Sequence, residues 1–474
     1  MYNHNNQYRC IIIRGKSQRE LDNLLPAYAL VIDDICPCAK DEFETRFNNQ
    51  LATILHGKNA DTFALKKTLD NHRTEIAGKL FGMYYLADDD VYYASERTNK
   101  FLADSDQPAF FKDICFKMQF PNGMNKIQTV RPYLDEKISL RQFPFVIKCL
   151  MLAAERNIYL NVNDIGYYIL NALDVLKGIA TPNEVITQIV ADKKAGVERK
   201  IFVQGKASSY TMQHIREQLN YLELANLIYI TDDKRVLLNY KEQECLDMFV
   251  AMCGVSPAFD MYYYDTDKQS DREQLYLDWN YYYSKISTES DKFITRISSL
   301  VKPEELEKTE ISKQKPAAGS TVELGDEGEQ YVYEYEKKRV AEFNPRLANK
   351  VLPLGRTKGL GYDIQSVVAE KGDMAEFVKY IEVKATKRVT APDLNDDLWV
   401  DTINITRNEW VAAQQHKDFY SIYRVYFARD GVVAYIINNV YKKEQEGVVS
   451  VVPTMYRVDF SNTAIDAIIE RENV

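Results

Sequence analysis

The 474-residue sequence lacks several features that would assign it a class at once. No apolar run approaches the roughly 18 residues that span a bilayer, which excludes a membrane of helices. Met1 to Gln7 is polar and lacks the basic and apolar parts of a secretory leader, so the chain is expected in the cytoplasm. Zinc-knuckle spacing is also missing. The seven cysteines (Cys10, Cys36, Cys38, Cys115, Cys149, Cys245, Cys253) are odd in number and sit in apolar contexts, the pattern of reduced thiols and not of a disulfide framework. Cys36-Pro37-Cys38 leaves one residue between thiols where a zinc knuckle has two or more. Arg14-Gly15-Lys16-Ser17 is similar to the end of a phosphate-binding loop, but the loop's first glycine would fall on Cys10, so no nucleotide site or motor is expected. Excess positive charge is absent too. The net charge of −9 excludes wholesale coating of nucleic acid and leaves room only for a local basic patch.

What is present is ordinary soluble material, 46% hydrophobic and 27% charged, in a chain longer than one core usually organises; two or three domains are expected. In residues 1–135, read as an α/β region, the apolar runs Cys10 to Ile13 and Ala29 to Ile32 suggest short strands. Asn71 to Tyr85 reads as a helix, followed by a turn at Ala87 to Asp90, a short strand, and a helix near Asp106 to Lys117. Residues 136–300 read as helical. Ser139 to Asn157 carries Phe143, Val146, Ile147, Leu150 and Met151 at helical spacing, Asn163 begins another helix, and Thr181-Pro182-Asn183-Glu184 is a capped helix start. A helix from Ser208 to Asn226 then leads into Leu227 to Ile230, a turn, and Val236 to Leu238.

Helix then hairpin, after two short helices, is the order of a winged helix-turn-helix, assigned here to about residues 181–240. Its candidate DNA-facing residues are Gln213, His214, Arg216 and Gln218, although such modules also bind proteins. The triplets Tyr262 to Tyr264 and Tyr281 to Tyr283 either stack on unpaired bases or pack helices. Residues 301–322, with Lys313-Gln314-Lys315-Pro316-Ala317-Ala318-Gly319-Ser320, have almost nothing to bury and read as a linker. A separate domain is expected over 323–474.

The chemistry concentrates in that last third. A helix with Glu329 in its first turn has Val332, Tyr335, Val340 and Phe343 as its expected buried side. Gly359-Leu360-Gly361-Tyr362 permits a sharp turn into a strand from Asp363 to Ala369, and after a polar turn a second strand runs from Phe377 to Thr386. Alternation puts Glu382 and Lys384 on one face and Ile381, Val383 and Ala385 in the core. If the strands pair, Asp363 approaches Glu382. Two converging carboxylates make a hard oxygen site for Mg²⁺, and Lys384 can orient the attacking water and stabilise phosphate charge. Glu329 is a candidate outer carboxylate.

At these residues the sequence resembles a known family. Gly359 to Ser366 with Lys379 to Thr386 look like the domain at the C-terminus of the plant protein NO VEIN, a member of the PD-(D/E)xK nuclease superfamily. The resemblance covers about 323–440 and extends to Ile405-Thr406-Arg407-Asn408-Glu409-Trp410, the polar start of the next helix, and to Tyr420 to Tyr426, the following strand. It implies an α/β restriction-endonuclease-like fold with a central mixed sheet. It also implies Asp363, Glu382 and Lys384 as catalytic residues, with Glu329 as the helix carboxylate and Asp363, Glu382 and Val383 as the metal positions for Mg²⁺ or Mn²⁺. Tyr362 replaces the superfamily's usual proline. A helical region ahead of a linker and a nuclease is similar in layout to type IIS restriction endonucleases.

The leading expectation is therefore a metal-dependent DNA endonuclease of a restriction or antiphage system. Arg356, Lys358, Lys387, Arg388 and Arg407 would supply phosphate contacts around the site. Double-strand cutting would need a homodimer or two encounters, and a methyltransferase or other defence partner would accompany a restriction role. A non-catalytic DNA-binding regulator or scaffold, and an RNA-cleaving effector, are the alternatives.

Overall fold

The computed structural model describes residues 2–451 apart from 14–16, 57–59, 202–207, 302–323, 356–358, 371, 373–374 and 396–398. The expected linker thus lies almost wholly outside the described residues. About half of the chain is helical, and a five-stranded mixed sheet organises the C-terminal region. Among the described residues no helix is long and apolar enough to cross a membrane.

In the N-terminal region one apolar cluster runs from Cys10 to Phe293. Ala29 to Ile32 is not a strand but part of the helix Gln18–Ile35, which starts with a capping box between Ser17 and Glu20 and buries Leu21, Leu25, Tyr28 and Ile32 at helical spacing. Cys10 to Ile13 belongs to no regular element. The expected helix over 71–85 ends early. Thr62–Asn71 continues as a π-helical stretch to Leu80, and Gly82 then turns the chain at φ +58°, where a side chain would meet Arg97 and Tyr283. Strands β1 (Cys38–Ala39), β2 (Tyr84–Leu86) and β3 (Val91–Ala94) form a small sheet in the order β1-β3-β2. Residues 106–117 behave as expected, Asp106 capping the helix Gln107–Lys117. Tyr283 is buried and stacks on Trp279, so that member of its triplet packs a helix and offers nothing to a base.

Further on, Thr181 and Glu184 form the expected capping box on Pro182–Lys194. The helix Ser208–Leu224 leads directly into the hairpin of β5 (Ile228–Ile230) and β6 (Arg235–Leu238). A short β4 (Leu160–Asn161) adds to β6, giving the order β4-β6-β5.

The C-terminal sheet has the order β11-β10-β9-β8-β7, formed by β7 (Leu352–Pro353), β8 (Ile364–Val367), β9 (Val378–Lys387), β10 (Tyr420–Ala428) and β11 (Gly431–Asn438). Only β9 and β10 run parallel, and the segment joining them carries the helix Arg407–His416, as a parallel pair needs a crossover. The helix Leu324–Phe343 covers one face of β9, so closely that a side chain at Gly328 would stand 2.6 Å from the Ala385 methyl group. Its buried side is not wholly as expected. Val332 and Val340 are buried, but Tyr335 and Phe343 are 47% and 40% exposed. The position that enters the core is Glu336, whose carboxylate accepts from Arg339, from Ser366 Oγ at 2.7 Å and from Tyr423 OH at 2.6 Å, which is why burial of an acid is tolerated there.

The sheet also abuts the N-terminal region. Thr386 Oγ1 and the Lys387 N–H donate to Ser105 O, Arg388 Nη2 donates to Asn23 at 3.0 Å, and the Thr390 hydroxyl donates to Asp22. Arg429, buried just beyond β10, donates to Asn226 Oδ1 at 2.9 Å and Ile228 O at 2.7 Å.

Candidate active site

The site is assembled where the chain enters β8. Gly359 and Gly361 adopt φ of +91° and +79°, and a side chain at Gly361 would lie 2.5 Å from the Asn408 carbonyl oxygen and 2.9 Å from Ala412 Cβ. Glycine there lets the turn press against the helix Arg407–His416, and Tyr420 OH secures it by donating to Gly361 O. Asp363 follows at once. Its N–H donates to Ile381 O, its carbonyl accepts from Leu354, and its side-chain Oδ2 accepts the Val383 N–H at 2.8 Å.

Asp363 stands one residue before the Ile364–Ile381 pair and bonds to Ile381, which brings it beside Glu382 where the two strands meet. Their carboxyl groups are close enough for each to act on the other's charge. Lys384, two residues on, has Nζ 2.7 Å from Glu382 Oε1 and 2.9 Å from Glu409 Oε2. Asp363, Glu382 and Lys384 therefore come together as the sequence predicts.

Burial dominates the electrostatics. It pushes Glu382 up to about 8; Lys384 opposes the rise, and Asp363 and Glu409 add to it. Asp363 is also raised, first by burial, with the Val383 N–H and Lys384 pulling it back. Burial acts to lower Lys384, but Glu382 and Glu409 outweigh it and the amine is held charged. Two carboxyls that disfavour joint ionisation, side by side, call for positive charge between them. This donor set fits a hard divalent cation. A strand residue's N–H and C=O leave the same edge, so the Val383 carbonyl faces the side towards which its N–H reaches Asp363. Among the described residues no group of three or more His, Cys, Asp or Glu is arranged to hold a metal, so the fit rests on a carboxylate pair with backbone support.

Glu329 reaches the neighbourhood from the other face of the sheet. Its carboxylate lies against Gly355, where a Cβ would be 2.2 Å from Oε2, and Gly355 follows the residue that pairs with Asp363. It belongs to the rim of the site and not to the Asp363, Glu382 and Lys384 contacts.

The expected DNA contacts divide. Gln213 and Arg216 are exposed on the helix Ser208–Leu224, and Arg407 is exposed at the start of its helix. His214 and Gln218, in contrast, are 4% and 0% exposed. His214 Nδ1 accepts from the Ile12 N–H and Gln218 accepts from Cys10, so both hold the 10–13 segment and neither reaches DNA. Lys387 and Arg388 are buried against the N-terminal region and are likewise removed from phosphate contact. Arg356 and Lys358 lie outside the described residues.

Two further groups border the site. Glu409 gave only the sequence signal of a helix cap, Thr406 three residues before it. Arg424 lies beside Lys384 in register and is locked by Asp401 at 2.6 Å, a pairing with no local sequence signal.

Comparison with known proteins bears on both halves. Residues 328–437 match the family model described as protein NO VEIN, C-terminal. A solved structure of pyrene- and phenanthrene-modified DNA in complex with the BpuJ1 endonuclease binding domain is 53% identical, covers 60% of this chain and 100% of that one, and superposes with a TM-score of 0.56. No curated protein sequence matches. Residues 2–280 match the model for the N-terminal part of restriction endonuclease BpuJI, and over that span, more than half its length, the chain belongs to the BpuJI N-terminal family.

Proposed function

We propose that this chain is a Mg²⁺-dependent DNA endonuclease of the restriction type, with DNA selected by the N-terminal region and phosphodiesters hydrolysed in the C-terminal one. The observation that carries the reading is the meeting of Asp363, Glu382 and Lys384 where β8 and β9 pair. The DNA complex of the BpuJ1 binding domain supports DNA as the ligand of the N-terminal region. The helix Ser208–Leu224 with its β4-β6-β5 sheet supports a winged-helix reading, in which Gln213 and Arg216 face the duplex. The NO VEIN match and the five-stranded mixed sheet covered by the helix Leu324–Phe343 support a PD-(D/E)xK nuclease fold for the C-terminal part.

In the reaction, Asp363, Glu382 and the Val383 carbonyl would hold the divalent ion. Bound Mg²⁺, or Mn²⁺ in its place, would polarise the scissile phosphate and acidify a water. Lys384 would hold the attacking water and offset charge on the phosphate oxygens. Arg407 would add a phosphate contact from the rim. One such site cuts one strand, so a double-strand break requires a second copy or a second visit. A restriction role would place the chain in the cytoplasm with a modifying methyltransferase as its counterpart.

The decisive test is incubation of the purified chain with plasmid and phage DNA, and separately RNA, in Mg²⁺ or Mn²⁺. DNA cleavage is expected, and Asp363→Ala and Lys384→Ala should each remove it while leaving binding to DNA intact. Cleavage by both variants would discard the site; DNA binding without cleavage by the wild type would favour a regulator, and cleavage confined to RNA an RNA effector.

A further inference from the structure

Glu409 reaches the site from outside the strand pair, on the helix Arg407–His416. It stands in the first turn of that helix, and its Oε2 makes two contacts. It accepts the Thr406 N–H at 3.0 Å, closing the capping box, and it holds Lys384 Nζ at 2.9 Å. Its side chain is 14% exposed and that of Lys384 22%, so the pair is shielded from most screening by solvent. Glu382 Oε1 approaches the same amine at 2.7 Å.

We infer that Glu409 is a positioning residue for Lys384, an assignment that rests on the nuclease reading above. A lysine amine is a point charge on a flexible four-carbon stem, and it goes where the field sends it. Without a divalent ion, the Glu382 and Glu409 carboxyl groups share the amine. Once Asp363 and Glu382 give their charge to a divalent ion, Glu382 attracts the ammonium less and the ion repels it. Glu409 comes from a different element and is not one of the groups that would hold the ion, so its pull persists. Lys384 then stays over the phosphate and is not driven out to solvent.

The helix cap offers the competing explanation, and Glu409→Gln separates the two, because glutamine serves a capping box as well as glutamate but carries no charge. In this variant kcat should fall about tenfold or more, with KM for DNA little changed, as for an interaction used in the transition state. Mn²⁺ affinity by calorimetry on the uncut protein should stay within about threefold of wild type, since a positioning residue holds no metal. Thr406→Ala, which breaks the cap and spares the ion pair, should lower the melting temperature and leave kcat within about twofold. A wild-type kcat in Glu409→Gln, or an equal kcat loss in Thr406→Ala, would overturn the assignment. So would a Mn²⁺ affinity lost in Glu409→Gln with kcat recovered at high metal, which would make Glu409 a ligand. A wild-type chain that neither binds Mn²⁺ nor cuts would overturn the nuclease reading, and this role with it.

Discussion

At 3% exposure Glu382 cannot ionise cheaply, and its shift from 4.5 to about 8 ties the fold to pH. Between those values the folded chain keeps a proton that the unfolded chain has released. The stabilisation from this group is therefore complete below 4.5 and is lost as pH rises towards 8. In EDTA, the melting temperature is expected to decline from about pH 5 to about pH 8, with a flatter profile in Glu382→Gln. Added Mg²⁺ should raise it more at the upper end, where no proton competes for the carboxylate. Differential scanning fluorimetry reads both, and an unchanged slope in Glu382→Gln would refute the link. Glu382 and Lys384 were legible from alternation along a strand, because a period of two is a local property, and Asp363 from the glycine-rich turn before it. Glu409 was not, since its local signature is that of a cap and its second role needs β9. Lys387 and Arg388 read as phosphate contacts because the residues that bury them, Ser105 for Lys387 and Asp22 and Asn23 for Arg388, are far away in sequence.

The turn that delivers Asp363 depends on contact between two elements, the β8 start and the helix Arg407–His416. Gly361→Ala would force a methyl group into the Asn408 carbonyl in a backbone conformation that alanine resists, at a cost of about 1–3 kcal/mol. The helix would have to retreat, taking Glu409 with it. Thermal unfolding should show the loss of stability, and cleavage should fall by more than a simple loss of folded protein explains. An alanine variant with wild-type stability would show that the close approach is dispensable. Element prediction succeeded where caps and periodicity agree, as at Thr181 and along β9. It failed for Ala29 to Ile32, where four apolar residues fit a strand as well as a buried turn of helix, and at Glu336, where partners from β8 and β10 make an acid a better core residue than Tyr335.

Between the two regions the fasteners are polar and deeply buried. Arg429 is 4% exposed, and burial pulls its guanidinium down from its ordinary range; Glu223 Oε1, at 3.8 Å, is its main counterweight. A charge so placed is costly to leave alone, and removing one member of such a pair typically costs about 3–5 kcal/mol. Arg388 and Asp22 pin the same seam at another point, 3.8 Å apart and both nearly inaccessible. None of this was visible in the sequence, which sets a stretch of small and charged residues between the halves and so suggests two bodies on a tether. A protease site engineered into residues 302–323 and then cut should yield two polypeptides that travel as one particle through a sizing column and melt in one transition. The same nick in an Arg429→Ala chain should let them part, and wild-type halves that separate as soon as the peptide bond is broken would show the seam to be too weak to hold.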